Sequence, residues 1–217
     1  MQAEARGRAQ LIVELVAGEG AAERLEAVLA AVPVASVIIA AAAGRPLTAK
    51  EVLPLVAAGQ SRGAAVLVAG DAGLARTVKA DGTHVPFVED MGEPYETARS
   101  IVGSGAVVGA DAGRSRHDAM TLAELGADYV AFGIPDFVKD RESAVALQLE
   151  LIGWWAEIFE VPCVAMDVDS PEQARELAAA GADFVCLRLE SGIAAADAVA
   201  LARDWSAVVA VRPDPAR

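Results

Sequence analysis

Two segments of the chain repeat the same pattern of polar and apolar positions. Residues 126–133 read Gly-Ala-Asp-Tyr-Val-Ala-Phe-Gly, and residues 181–188 read Gly-Ala-Asp-Phe-Val-Cys-Leu-Arg. Each copy follows a helical run, and each first glycine stands where a left-handed residue commonly ends a helix. The apolar runs that follow favour strands buried on both faces, as in a parallel sheet. The repeat therefore predicts successive βα units.

Apolar runs along the whole chain predict eight strands that alternate with helices. The strands are predicted at residues 11–16, 34–41, 65–68, 83–85, 106–108, 129–132, 164–166 and 184–187. This alternation indicates an α/β fold, a (β/α)8 TIM barrel that forms a single domain over residues 1–217. A ninth apolar run, residues 207–211, does not fit eight repeats. It is either a tail over the barrel base or a sign that the count is off by one.

Composition and charge argue against a membrane-spanning, a secreted or a nucleic-acid-binding protein. Hydrophobic residues make up 54% of the chain, yet no apolar run approaches the ~20 residues of a membrane span. The first eight residues lack the apolar core of a signal peptide, so we expect a cytoplasmic protein. The net charge of −13 argues against a nucleic-acid partner. Cys163 and Cys186 fall in predicted strands, where a buried apolar role is expected rather than a disulfide or a zinc site.

Charged side chains follow most of the predicted strands. Because active sites of such barrels lie on the loops after the strands, these side chains should meet at one mouth. They are Arg45, Asp71, Glu89, Asp90, Asp111, Asp136, Lys139, Asp167, Asp169, Arg188 and Glu190. An acidic mouth of this kind would suit Mg²⁺ or a basic ligand. The alternative is that Asp71, Asp111 and Asp169 are helix N-caps.

The chain has two histidines, which are candidates for acid–base chemistry because their charge changes near neutral pH. His84 lies in or just after the fourth predicted strand, and His117 lies at the start of a helix. Either one is alternatively a structural residue.

Several of these motifs resemble the thiamine-phosphate synthase and thiazole tautomerase family. The resemblance rests on residues 80–85, Val108-Gly109 and residues 126–133, in their order and spacing. It implies a (β/α)8 barrel. It further implies either an Mg²⁺-dependent transfer that joins aminopyrimidine pyrophosphate to thiazole phosphate, or the isomerisation of a thiazole phosphate by a histidine. Asp71 matches one metal carboxylate of the family, and Glu89 or Asp90 matches the second.

The chain departs from the family pattern after several strands. Residues 39–44 replace the Arg and Lys that hold pyrophosphate after the second strand, which leaves Arg45 as the nearest cation. Asp111-Ala112-Gly113 replaces Ser-x-His after the fifth strand, so that only His117 could substitute for the histidine of the tautomerase.

The loops after the sixth and seventh strands also differ. Residues 133–139 keep at most the lysine of the family loop, as Lys139. Asp167-Val168 replaces the Gly-Gly phosphate cradle. An aspartate at that position opposes an anion that glycine N–H groups would bind. Arg188 could offset this by pairing with a phosphate or with Asp167.

These observations predict a thiamine-phosphate-synthase-like transferase with a degenerate phosphate site. The predicted catalytic side chains are His84, Asp167 and His117. Those predicted to bind substrate are Arg45, Lys139, Arg188 and Asp111, and those predicted to bind Mg²⁺ are Asp71, Glu89 and Asp90. The alternatives are an inactive barrel that acts as a binding or regulatory partner, with a homodimer through Trp154 or Trp155, and an isomerase of the tautomerase kind.

Overall fold

The computed structural model describes residues 8–135 and 137–209, which form a closed barrel of eight parallel strands. The strands are β1 (Gln10–Val16), β2 (Ser36–Ala40), β3 (Ala65–Ala69), β4 (Gly82–Val85), β5 (Val107–Asp111), β6 (Tyr129–Phe132), β7 (Cys163–Ala165) and β8 (Phe184–Leu189). Each strand pairs with its neighbours in chain order, and β8 closes on β1. The predicted (β/α)8 fold is confirmed.

Eight helices surround the strands. They are α1 (Ala21–Ala31), α2 (Ala49–Ser61), α3 (Ala72–Thr77), α4 (Gly92–Val102), α5 (Arg116–Glu124), α6 (Arg141–Ile158), α7 (Pro171–Ala180) and α8 (Ala195–Val209). Local sequence explains several boundaries, since Ser115 and Ser170 accept hydrogen bonds from the first turns of α5 and α7. Gly126 and Gly181 have φ angles of 86° and 112°, as the predicted left-handed turns require.

Alternation along the strands separates two apolar layers. Odd-numbered residues of β1, such as Val13 and Leu15, pack outward against the helices, whereas Ile12 belongs to a smaller cluster with Leu67 and Cys186. This smaller cluster fills the lower part of the barrel interior. The upper part of the interior is polar, and it begins one inward-facing position further along β1, at Glu14.

Three aspartates that directly precede strands, Asp81 and the two of the repeat, have a structural role at the N-terminal ends of the strands. Asp81 accepts a hydrogen bond from the Val66 N–H at 2.7 Å. Asp128 accepts one from the Val108 N–H at 2.7 Å, and Asp183 accepts one from Cys163 at 2.8 Å. Each carboxylate thus ties the start of one strand to the loop that precedes the next strand.

The prediction of a ninth strand is wrong for residues 207–209, which belong to α8. The reason is a helical stripe of buried residues, Ala198, Ala202, Trp205 and Val209, on one face of that helix. Residues 210 and 211 lie outside the described part of the chain.

The two adjacent tryptophans of α6 differ in burial. Trp155 is fully buried and stacks on Phe159, whereas Trp154 is half-buried and lies beneath the Arg116 guanidinium. The dimer predicted through these residues stays a prediction. Among the described helices, none combines the length and the apolar character needed to cross a membrane.

Candidate functional site

A cavity of about 1030 Å³ lies at the C-terminal ends of the strands. Among the described residues, six carboxylates line it: Glu14, Asp71, Asp111, Asp167, Asp169 and Glu190. The cations that line it are Arg141 and Arg188, and His84 lies at its base. Carboxylates therefore outnumber the cations. A second cavity, of about 800 Å³, opens at the opposite end of the barrel and contains none of the predicted site residues.

His84 and Tyr129 form a buried polar pair across the barrel interior. His84 Nδ1 lies 2.8 Å from the Tyr129 hydroxyl, and the two rings are stacked with their centroids 5.9 Å apart. The pair depends on Gly109 of the intervening strand, because a Cβ there would lie 1.9 Å from the tyrosine ring. Burial lowers the pKa of His84 to about 4. The imidazole is therefore neutral at neutral pH.

Asp111 ends β5 with its carboxyl group inside the barrel. Its Oδ1 accepts hydrogen bonds from the N–H groups of Gly113 at 2.8 Å and Gly133 at 2.9 Å. Burial raises the pKa of Asp111 to about 7, and this outweighs the opposite effect of the two hydrogen bonds. The negative charges of Asp167 and Glu14 raise it further. Near neutral pH the carboxyl group can therefore hold or release a proton.

Asp167 occupies the loop after β7 in a backbone conformation that favours glycine. Its φ angle is 53°, in the left-handed region. Its Oδ2 accepts a hydrogen bond from the Ile134 N–H at 2.8 Å, and its carbonyl oxygen accepts one from Arg141 at 2.9 Å. The loop thus has the conformation of a glycine turn, but an aspartate side chain engages a backbone N–H that faces it.

Arg188 is held between two carboxylates at the seam where β8 meets β1. Its neighbour in the strand register is Glu14, and Nη1 lies 2.7 Å from the Glu14 Oε1. Nε donates to Glu190 Oε1, also at 2.7 Å. Burial raises the pKa of Glu14, although the charge of Arg188 lowers it in part. Arg188 therefore pairs with Glu14 and Glu190, whereas the sequence suggested either a phosphate or Asp167 as its partner.

The rim of the cavity adds an ion pair and an aromatic pair. Arg141 donates to both carboxylate oxygens of Asp169, at 3.0 and 2.9 Å. The rings of Phe87 and Phe137 lie with their centroids 6.4 Å apart, and both line the cavity. Phe137 is 70% exposed. The mouth thus combines acidic side chains with an accessible aromatic surface.

The structure brings together half of the predicted site residues. His84, Asp71, Asp111, Asp167 and Arg188 line the cavity. The other five, His117, Arg45, Lys139, Glu89 and Asp90, are exposed and do not line it. Arg45 instead pairs with Glu51 on α2. Asp136 lies outside the described residues.

The carboxylates predicted to bind Mg²⁺ do not fit a metal site. Asp71 is the N-cap of α3, and its Oδ1 accepts the Leu74 N–H at 2.8 Å. Neither Glu89 nor Asp90 lines the cavity with it. Within residues 8–135 and 137–209, no three His, Cys, Asp or Glu side chains are grouped as ligands of a metal ion. We therefore derive no chemistry through a bound metal.

Sequence reasoning missed Glu14 and Arg141, which line the cavity, and Tyr129, which contacts His84 at its base. A signal existed for Glu14, because it interrupts the otherwise apolar run of β1 and its side chain faces the inside of the barrel. Tyr129 and Arg141 gave no comparable signal, since their positions depend on the glycine at 109 and on the loop after β7.

The family model and the known proteins that resemble this chain carry the same family description. The family model described as thiamine monophosphate synthase matches residues 11–190. A protein of Erythrobacter litoralis named thiamine-phosphate synthase is 41% identical over 136 residues, 62% of each chain. One of the same name from Rhodospirillum centenum is 43% identical over 142 residues, 65% of this chain and 66% of the relative. The chain thus spans less than two thirds of the length of either relative.

Solved structures share the fold at low sequence identity. A thiamine phosphate pyrophosphorylase from Pyrococcus furiosus superposes with a TM-score of 0.72 at 22% identity, covering 94% of this chain and 96% of that one. Tryptophan synthase from Mycobacterium tuberculosis gives a TM-score of 0.72 at 18% identity, covering 96% and 95%. These two likenesses concern the barrel alone. The match to the family model over residues 11–190 establishes that the chain belongs to the thiamine monophosphate synthase family.

Proposed function

We propose that this chain is a thiamine-phosphate-synthase-like barrel whose phosphate site is degenerate, so that its mouth binds a small molecule without a phosphate group. The observation that carries the proposal is Asp167. Its carboxylate lies in the loop after β7 and accepts the Ile134 N–H at 2.8 Å. A backbone donor is therefore already engaged, and a negative charge stands where the family pattern has glycines that face an anion.

The cations of the mouth support the same conclusion. Arg188 bridges Glu14 and Glu190, and Arg141 binds both oxygens of Asp169. A phosphate that approached either guanidinium would have to displace a carboxylate from it. It would also meet the charge of Asp167, and like charges a few ångströms apart cost about 1 kcal/mol in water and more at lower effective dielectric.

Replacing Asp167 by glycine tests the proposal directly. Glycine accepts the φ angle of 53° without strain, and the change frees the Ile134 N–H and removes the charge. We expect the wild-type protein to form no thiamine phosphate from aminopyrimidine pyrophosphate, thiazole phosphate and Mg²⁺. We expect Asp167→Gly to bind thiazole phosphate at least about tenfold more tightly than wild type by calorimetry, a gain of ~1.4 kcal/mol.

The matched control is Asp167→Asn, which removes the charge but keeps an acceptor oxygen for the Ile134 N–H. It should raise the affinity for thiazole phosphate less than Asp167→Gly does. Formation of thiamine phosphate by the wild-type protein would overturn the proposal. An affinity unchanged by Asp167→Gly would also count against it.

A second candidate function, an isomerase that moves a proton, is favoured by Asp111. A carboxyl group with a pKa of about 7 can both accept and donate a proton at neutral pH. Exchange of a carbon-bound hydrogen of thiazole phosphate in deuterated water, followed by NMR, separates this function from simple binding. Exchange abolished by Asp111→Asn would establish it, and no exchange above the buffer rate would remove it.

A further inference from the structure

Arg24 is a charged side chain that is buried outside the mouth of the barrel. It is the fourth residue of α1 and lies on the buried face of that helix with Leu25 and Val28. Only 4% of Arg24 is exposed. Its Nη1 donates to the Glu19 carbonyl oxygen at 2.8 Å. Its Nε and Nη2 are also buried, and neither has a hydrogen-bond acceptor among the described residues.

The two unpartnered nitrogens belong to one edge of the guanidinium group. Nε and Nη2 donate side by side from that edge, the geometry in which an arginine holds two oxygens of one anion. Burying a charged group is costly unless acceptors or an opposite charge compensate it. Buried polar atoms in folded proteins are normally satisfied, and the described part of the chain has no other buried side-chain nitrogen or oxygen without a partner. An acceptor from outside the chain would complete this edge.

The guanidinium group lies at the N-terminus of α1, a helix of 11 residues. The N-cap residue is Gly20, with a φ angle of 69°, and no side chain accepts a hydrogen bond from the first turn. An ideal Cβ on Gly20 would lie 3.2 Å from Arg24 Nη1, so the guanidinium group and the helix terminus are adjacent. The first N–H groups of a helix and its dipole both favour an anion. The buried charge and the helix terminus therefore attract the same kind of ligand.

The nearest acidic side chains in the sequence do not compensate Arg24. Glu19 and Glu23 are both exposed. The hydrogen bond from Arg24 to Glu19 goes to the backbone carbonyl oxygen, and Nε and Nη2 bind neither carboxylate. The positive charge is therefore buried while these two negative charges remain in water.

The loop of residues 17–20 joins β1 to α1 beside this site. Gly18 packs against the loop after β8, because an ideal Cβ on it would lie 3.2 Å from the Ser191 Cβ. Since Nε and Nη2 of Arg24 are buried, an anion reaches them only when the chain around them opens. Two glycines in the loop give it the backbone freedom for such a movement.

We propose that Arg24 and the N-terminus of α1 form a binding site for a small tetrahedral oxyanion, with inorganic phosphate as the probe. Two oxygens of the anion bind the free edge of the guanidinium group, and the remaining oxygens face the first N–H groups of α1. A carboxylate has only two oxygens and cannot serve both sets of donors. Neither Arg24 nor Gly20 lines the mouth cavity, so this site is separate from the one in the proposed function.

Thermal unfolding at increasing phosphate concentration tests the proposal, with sodium chloride adjusted to keep the ionic strength constant. The melting temperature of the wild-type protein should rise with phosphate. Once phosphate is about tenfold above its dissociation constant, the rise should be roughly 3 to 6 °C. Sulfate should act in the same way, whereas acetate and chloride should give less than about half of the rise.

Arg24→Met keeps a side chain of similar length and removes the charge and the donors. It should abolish the rise, while its melting temperature without phosphate should equal or exceed that of the wild type, because an uncompensated buried charge is gone. Arg24→Lys keeps the charge without the paired donors and should keep less than about half of the rise. The matched control is Arg203→Met, at an exposed position of α8, which should keep all of it. Circular dichroism before heating confirms that the variants are folded.

Three outcomes would overturn the inference. An equal rise in wild type and Arg24→Met would mean that phosphate acts through the general surface of the protein. No rise in wild type, together with a lower melting temperature of Arg24→Met in every buffer, would mean that Arg24 is structural and that water satisfies its free edge. A rise in acetate equal to that in phosphate would mean that the site does not select a tetrahedral anion.

Discussion

Carboxylates at the two ends of the barrel have different surroundings, although the residue type is the same. At the N-terminal end, Asp81, Asp128 and Asp183 each accept a strand N–H at 2.7 or 2.8 Å. At the C-terminal end, the backbone N–H groups of the described residues that bind Asp111 donate to its Oδ1, and its Oδ2 lies within about 5 Å of the Asp167 carboxylate. The first group stabilises the barrel, whereas the second is costly to ionise.

This difference shows that the repeated sequence stabilises the N-terminal end of the barrel, whereas the residues of the cavity come from loops that do not repeat. The Gly-Ala-Asp pattern places its aspartates beside the starts of neighbouring strands, where backbone N–H groups need acceptors. No repeat governs the other end, where each loop has its own sequence. Carboxylates that gather there without an equal number of cations make a site that is predisposed to protonation or to a positively charged ligand.

Among the replacements considered, Asp111→Asn should change the free energy of unfolding most. Folding raises the pKa of Asp111 from 3.8 to about 7, so the folded state keeps a proton that the unfolded state releases near pH 4. The stability that this proton contributes is full below pH 4 and is lost as the pH rises to about 7. Asp111→Asn cannot ionise, so relative to wild type it should gain about 2 to 3 kcal/mol between pH 5 and pH 8.

Urea unfolding of both proteins at pH 5 and pH 8 measures this difference. His84 has the opposite effect in wild type, because its lowered pKa makes stability fall as the pH drops from 6.5 to about 4. It is present in both proteins, so its contribution cancels in the comparison. Asp204→Asn, at an exposed position of α8, serves as the control and should show no such gain. An Asp111→Asn difference that is equal at both pH values would contradict the buried, raised-pKa carboxyl group.

Replacement of Asp183 by alanine should have the opposite sign and a smaller size. The change leaves the Cys163 N–H without its acceptor at the start of β7. We expect a loss of about 1 to 2 kcal/mol in the free energy of unfolding, typical of an unsatisfied backbone donor. Asp183→Asn keeps an acceptor oxygen and should recover much of the loss. If alanine and asparagine are equally stable, the repeated aspartate does not act through this hydrogen bond.

Replacement of Asp169 by asparagine should have the smallest effect. Its ion pair with Arg141 is 2.9 Å long, but both side chains are about half exposed. Water and salt screen such pairs, so we expect a loss below about 1 kcal/mol that shrinks further in 0.5 M salt. Thermal unfolding at low and high salt measures it. A loss as large as that of Asp183→Ala would mean that this ion pair at the rim of the cavity contributes as much to stability as the Asp183 hydrogen bond at the N-terminal end of the barrel.

The regular part of the fold could be predicted from the sequence, and the site only in part. The apolar runs and glycine turns predicted eight strands close to the observed ones. The error at residues 207–209 arose because a short apolar run fits a strand or a buried helix equally well. Asp111 and Asp167 were predicted to be near the mouth because they follow strands, a rule that depends only on chain order.

The remaining site residues could not be predicted, because the rule that site residues follow the strands does not say in which direction each loop runs. Glu89 and Asp90 also follow a strand, yet their loop carries them away from the cavity. His117 lies in the first turn of α5 and is exposed on the outside of the barrel. Glu14 was missed although it lies within a strand, because its partner Arg188 is far along the chain and meets it only when β8 closes on β1.

The sequence by itself determined the alternation of strands and helices and the positions of the repeated aspartates, because these depend on local periodicity and on turns of a few residues. Only the tertiary structure decided which charges meet. Closure of the barrel placed Glu14 against Arg188, and the end of β5 and the loop after β7 brought Asp111 and Asp167 close to Gly133. Burial and a neighbouring charge then raised the pKa of Asp111, and both are properties of the folded chain.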